Sequence, residues 1–297
     1  MSNAVGPSLV RLHGVERSDR VSSYAAVAAL VGRAREALSA KGMPAKPNSA
    51  VGSLFAKADR LDREWTQGTP SDDIVGLMQA DEAYRIAEAV LEVIQEPEAR
   101  EAIRRITKSD MSLSTRQPSQ GKDALWELGL MSFLRGRGAS VTFKDPPDLE
   151  LALPGLLGAY GIACKKVYSE DSVEGQFSKG LRQLQPFSGA GLVAFNLDDL
   201  TPECSLLTSV SRRDASNFLH GLNVAFMERH RWRFQEAVMA GRCDGVWISS
   251  CVHADIAGSS PRFNRITENT LWTVREVGPA SDIRLNALRK IVDGAGD

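Results

Sequence analysis

The spacing of apolar residues changes character once along this chain, and that change limits what it can fold into. From about Val21 to Met111 the sequence is rich in Ala, Glu, Arg and Leu at helical spacing, in "SSYAAVAALVGRAREAL", "SAVGSLFAKADRLDREW", "ADEAYRIAEAVLEVIQ" and "PEAREAIRRITKSDM". Four helices are expected, broken at "KGMPAKPN" and "QGTPSDD". Pro97 suits a first helical turn, where its missing N–H is not needed. The segment "SLSTRQPSQG" (112–121) then reads as a polar linker.

Beyond it the period shortens. A helix "KDALWELGLMSFLRG" precedes the short β-type runs "SVTFK", "DLELAL" and "GIACKKV", a helix "VEGQFSKGLRQL" and a strand "LVAFNL". A helical stretch at about 210–241 and two strand candidates, "GVWISSCV" and "TLWTVREV", complete the chain. The order helix, three strands, helix, strand predicts an α/β layer structure around a mixed sheet. A helical region over 1–115 and an α/β domain over 116–297 are the expected divisions.

Composition excludes more than it selects. The 297 residues are 43% apolar, enough for a packed core, and Lys+Arg 36 against Asp+Glu 37 leaves a net charge of -1. Any surface for nucleic acid must therefore be local. No secretory leader pattern and no apolar run of about eighteen residues is found, so a soluble, cytoplasmic protein is expected. Cys164, Cys204, Cys243 and Cys251 form no CxxC pair, and His13, His220, His230 and His253 have no zinc-type spacing.

Three groups of residues carry potential chemistry. On a strand, residues two apart share a face, so Asp148 shares one with Glu150, and Lys165 with Ala163. Hard divalent cations need converging oxygen ligands, and phosphodiester hydrolysis needs a cation near the attacking water. Glu127 lies within an apolar helical arc of Ala124, Leu128, Leu130, Met131 and Leu134, where a carboxylate is costly without a partner. A metal or Lys165 would supply that partner; otherwise the side chain reaches the helix edge or a backbone N–H. Gln176 and Gln183 share a helix face beside Val173, Phe177, Leu181 and Leu184. Two basic runs, "REAIRRITK" (100–108) and "ERHRWRF" (228–234), are either phosphate-binding, with Trp232 stacking on a base, or solvated helix faces with the aromatic packed inward.

Over roughly 120–200 the chain resembles the PD-(D/E)xK nuclease superfamily, the restriction-endonuclease-like fold. Pro147-Asp148 matches the Pro-Asp that opens the second core strand, and Ala163-Cys164-Lys165 falls where the acidic-x-Lys triplet belongs, with alanine in the acidic position. Glu127 matches a glutamate on the helix before the first strand, and Gln183 a glutamine on the helix after the third.

The resemblance implies a restriction-endonuclease-like core preceded by a helical region, and Mg²⁺- or Mn²⁺-dependent cleavage of nucleic acid, DNA before RNA. It implies Asp148 as central ligand, Glu127 or Glu150 in place of the missing acid, the Cys164 carbonyl completing the shell, and Lys165 orienting the attacking water. Two rivals stand beside it: a catalytically inactive nuclease fold that binds nucleic acid or protein, and a helical adaptor with an α/β scaffold. A homo-oligomer is compatible with each.

Overall fold

The computed structural model describes residues 9–12, 23–69, 73–113, 115–155 and 158–293. The chain forms two compact units, one of Asp19–Ser132 and one of Phe133–Asp297 with the amino-terminal strand. Among the described residues no helix is long and apolar enough to cross a membrane.

The first unit is helical. Its elements are α1 (Tyr24–Ala40), α2 (Ala50–Thr66), α3 (Ile74–Val93), a 3₁₀ turn at Pro97–Ala99, α4 (Arg100–Lys108) and most of α5 (Gln120–Arg135). Side-chain caps begin the first three. Ser23 Oγ accepts from the Ala26 N–H, Ser49 Oγ from Gly52 and Asp73 Oδ1 from Val75, each satisfying an orphan amide of a first turn. The apolar stripes then meet: Val31, Ala34 and Leu38, Val51 and Phe55, Ile86 and Val90, and Ile103 and Ile106 are all buried. Pro97 opens the 3₁₀ turn that leads into α4.

The second unit is α/β, with a mixed sheet of eight strands. They are β1 (Leu9–Leu12), β2 (Ser140–Lys144), β3 (Asp148–Ala152), β4 (Ala159–Lys166), β5 (Gly191–Asn196), β6 (Leu206–Ser209), β7 (Gly245–Ile256) and β8 (Phe263–Trp272). The order is β1-β8-β7-β5-β4-β3-β2, with β6 also paired to β7. From β2 to β4 the pairing is antiparallel; β4, β5 and β7 run parallel; β7 with β8 and β8 with β1 are antiparallel. Helix α6 (Val173–Leu184) links β4 to β5, α7 (Arg212–Met239) links β6 to β7, and α8 (Pro279–Asp293) ends the described chain.

Strand chemistry follows position. β2 at the edge alternates, with Val141 and Phe143 inward, whereas central β5 is buried at every residue, as a strand covered on both faces must be. Helix α6 lays Val173, Phe177, Leu181 and Leu184 on the sheet against Ala163, Val193 and Phe195. The approach is close: a Cβ on Gly180 would lie 2.9 Å from both methyl groups of Val193. Glycine there sets the height of α6 over the sheet, and with it the reach of Gln183 one turn later.

The expected strand "TLWTVREV" needs correction. β8 runs from Phe263 to Trp272, so its first seven residues were missed and residues 273–277 lie outside it. Asn264, Glu268, Asn269 and Thr270 are buried in that strand, so polar residues hold positions where an apolar alternation was sought.

Candidate active site at Asp148 and Lys165

The turn Asp145-Pro146-Pro147 joins β2 to β3 and ends on Asp148, the first residue of β3, paired with Lys144 across the hairpin. Asp148 has φ 120°, a region that non-glycine residues avoid and that costs on the order of 1–3 kcal/mol. On its other side Asp148 is in register with Ala163 of β4, two residues before Lys165.

The carboxylate of Asp148 is the hub of the site. Oδ2 accepts from the Cys164 backbone N–H at 2.6 Å and from Lys165 Nζ at 3.1 Å, while Oδ1 accepts from Gln183 Nε2 at 3.1 Å. Lys165 Nζ also donates to the Cys164 carbonyl oxygen at 2.6 Å. Asp148 and Lys165 are only 8% and 9% exposed. Burial pushes the Asp148 carboxyl above its ordinary value, with Lys165 and the other donors opposing the shift.

Asp148 of β3, Lys165 and the Cys164 peptide of β4, and Gln183 of α6 are thus in one hydrogen-bonded cluster. The remaining candidates have other engagements. Glu150 pairs with Lys144 at 3.3 Å near the surface, and Glu127 belongs to the helical unit, where Arg105 holds both its oxygens at 2.7 and 3.3 Å. An arginine from another helix is thus a partner of the carboxylate in this apolar arc, and it was not among those expected. Ala163 is fully buried in the core cluster that includes Val193 and Phe177. Among the described residues no group of three or more His, Cys, Asp and Glu is gathered as for a metal ion.

Lys166 leaves β4 on the opposite face. It donates to Asn196 Oδ1 at 2.6 Å and pairs with Asp199 at 2.5 Å, both buried and both outside the expected site. The run "FNLDDL" after β5 carried that signal, an amide and two acids at the carboxyl end of a buried strand. A second unforeseen polar cluster joins α7 to β7 and β8. Asn223 donates to the Glu268 carbonyl and to Thr270 Oγ1, Ser250 donates to Asn223, and Ser216 donates to the buried Glu268 carboxylate.

Neither basic run is a bare cationic surface. Arg104 pairs with Glu101 and Arg105 with Glu127; Arg229 and His230 share Glu170, Arg231 meets Glu228, and Arg233 meets Glu174. Trp232, expected either to stack on a base or to pack inward, is 65% exposed. No protein family, curated protein or solved structure matches the chain.

Proposed function

We propose that the chain has a restriction-endonuclease-like core and hydrolyses phosphodiester bonds in nucleic acid, DNA in the first place, at Asp148 and Lys165. The observation that carries this reading is that one ammonium group, Lys165 Nζ, bridges the Asp148 carboxylate and the Cys164 carbonyl. Those are the two oxygens that the resemblance assigns to a metal, and an ammonium held between them supports the reading that a cation is favoured there. The sheet lends support: β2, β3 and β4 form an antiparallel meander, and β5 lies parallel to β4 after a helical crossover. Backbone strain at Asp148 is of the kind that functional sites retain.

The donor set fits Mg²⁺ or Mn²⁺ in its simplest form, since such ions take one or two carboxylates and fill the remaining positions with water and substrate phosphate. Asp148 and the Cys164 carbonyl would hold the ion, which when bound supplies charge stabilisation and a more acidic water. Gln183 fixes Oδ1, and Oδ2, held by the Cys164 N–H and Lys165 Nζ, would turn to the ion as the ammonium gives way. Lys165 offers three rotatable donors, enough to orient the attacking water and to meet charge developing on the phosphate. Glu150 is the second carboxylate of β3, and releasing it from an exposed pair with Lys144 costs about 1 kcal/mol at most.

A second reading is favoured by Ala163. Its burial against α6 leaves the triplet without its acid, which suits a nuclease fold that binds without cleaving. Incubating plasmid and oligonucleotide DNA with the protein in Mg²⁺ or Mn²⁺, alongside calorimetric Mn²⁺ titration, separates the two. Cleavage lost in Asp148→Asn supports the first reading; nucleic-acid binding with neither cleavage nor metal uptake supports the second.

A further inference from the structure

Helix α6 passes over β4 and β5 at a height and angle that fix where each of its side chains looks. A Cβ on Gly180 would lie 3.5 Å from the Ala163 Cβ and 2.9 Å from both methyl groups of Val193, so Gly180 faces the sheet at that level. As the crossover between the parallel strands β4 and β5, α6 runs back along the sheet in the opposite sense to both. Gln176, one turn before Gly180, therefore stands about 6 Å nearer the carboxyl end of β4, a rise of about two strand residues, and so level with Lys165.

Azimuth decides the side. Gln183 reaches Asp148 Oδ1, so its direction is that of β3. At about 100° per residue Gln176 lies within about 20° of that direction and Lys179 within about 40°, whereas Phe177 and Leu184 point into the core. Gln183, Lys179 and Gln176 thus form one polar flank about 10 Å long beside Asp148 and Lys165. β3 begins at Asp148, so beyond it the flank faces the end of the β2–β3 hairpin, where Lys144, Asp145 and Pro146 are exposed. Lys179 is exposed and Gln176 half-buried, and among the described residues no side-chain hydrogen bond or ion pair engages either. An amide and an uncommitted ammonium therefore stand beside a site whose own lysine is committed to Asp148 and the Cys164 carbonyl.

We propose that Lys179 and Gln176 are positioning residues for the nucleic-acid backbone: Lys179 neutralises a phosphate next to the one attacked, and the Gln176 amide donates to the same strand above Lys165. Both roles rest on the nuclease reading of Asp148 and Lys165. One strand of a duplex rises about 3.4 Å per nucleotide, so a flank of about 10 Å accommodates two or three nucleotides. Backbone contacts of this kind set register and orientation without reading sequence. A lysine on a flexible stem suits a phosphate as a point charge, and an amide N–H adds a contact that carries no charge.

Binding of a fluorescent duplex oligonucleotide to the full chain over a range of NaCl concentrations, and cleavage of the same duplex in Mg²⁺, test the proposal. Lys179→Ala should lower the slope of log affinity against log salt by about one unit and raise KM severalfold, with kcat held within about twofold. Lys179→Arg should keep the native slope. Gln176→Ala should raise KM at an unchanged slope, because no charge is lost. Lys290→Ala, which takes the same charge from α8, should do neither. Thermal melts of these variants should match the native chain. An unchanged slope and KM in Lys179→Ala would overturn the proposal, as would an equal loss of slope in Lys290→Ala, or a fall in kcat while KM holds. Native cleavage with an indifferent Lys179→Ala leaves the nuclease reading standing and removes only the flank. A native chain that binds with a Lys179-dependent slope but never cleaves removes the nuclease reading and keeps the flank as a backbone-binding surface. Neither binding nor cleavage removes both.

Discussion

Lys165 and Asp148 form a buried ion pair across adjacent antiparallel strands, with Nζ 3.1 Å from Oδ2. Removing one partner strands the other charge in a poorly hydrated place, at a cost on the order of 3–5 kcal/mol. Lys165→Met and Asp148→Asn should therefore each lower Tm, and the double variant should lose less than the sum. Each single variant should also reduce any Mg²⁺-dependent cleavage at least about a hundredfold, which is on the order of 3 kcal/mol. Denaturant melts and initial rates on the same preparations check both effects. Cleavage at native rates by either variant would remove the pair from the mechanism.

Ala163→Glu is expected to be destabilising by several kcal/mol, because the site of the new carboxylate is lined by Val193, Gly180 and other apolar groups. Thermal melting measures the loss. Mn²⁺ titration of the variant has a separate meaning: higher affinity would show that the space around Asp148 extends to position 163.

In the helical unit, burial raises the Glu82 carboxyl from 4.5 to about 7, opposed by Arg85 and Lys122. A carboxyl raised in the folded state contributes stability that is fully present below pH 4.5 and lost as pH rises through about 7. The loss is on the order of 3 kcal/mol, and Glu82→Gln should abolish it. Urea denaturation of the native chain and the variant at pH 4.5, 6 and 8 is the measurement. Parallel pH profiles would refute the assignment.

Asp244, buried beside β7, receives both Nε and Nη2 of Arg284 at 2.8 and 2.7 Å and so ties α8 to the sheet. Arg284→Ala should cost about 3 kcal/mol by leaving that carboxylate uncompensated. Asp244→Asn with Arg284→Ala should recover part of it. Hydrogen exchange over 279–293 would show whether α8 is the element released.

Most of the architecture was readable because it rests on periodicity. The four amino-terminal helices, the helix with three strands and the α6 crossover all announce themselves through apolar spacing and turn residues. What escaped had no such signal. β1 and β6 have four residues each, and α8 was not foreseen at all. Most of β8 was hidden by buried Asn, Glu and Thr, each of which finds a partner in the fold: Ser216 and Asn223 of α7 for Glu268 and Thr270, Arg212 for Asn264, and Trp247 of β7 for Asn269. The cluster of Asp148, Lys165 and Gln183 was anticipated through the order of elements. The engagement of Glu127 by Arg105 was not, since two helices meeting in space leave no trace in local spacing.

Consecutive residues on a strand leave it in opposite directions, and β4 carries a buried lysine on each side. One terminates on Asp148; its neighbour terminates on Asn196 and Asp199. The strand is therefore anchored from both faces, to β3 through one lysine and to β5 and the turn after it through the other, and a flexible side chain released on one face leaves the anchor on the other in place.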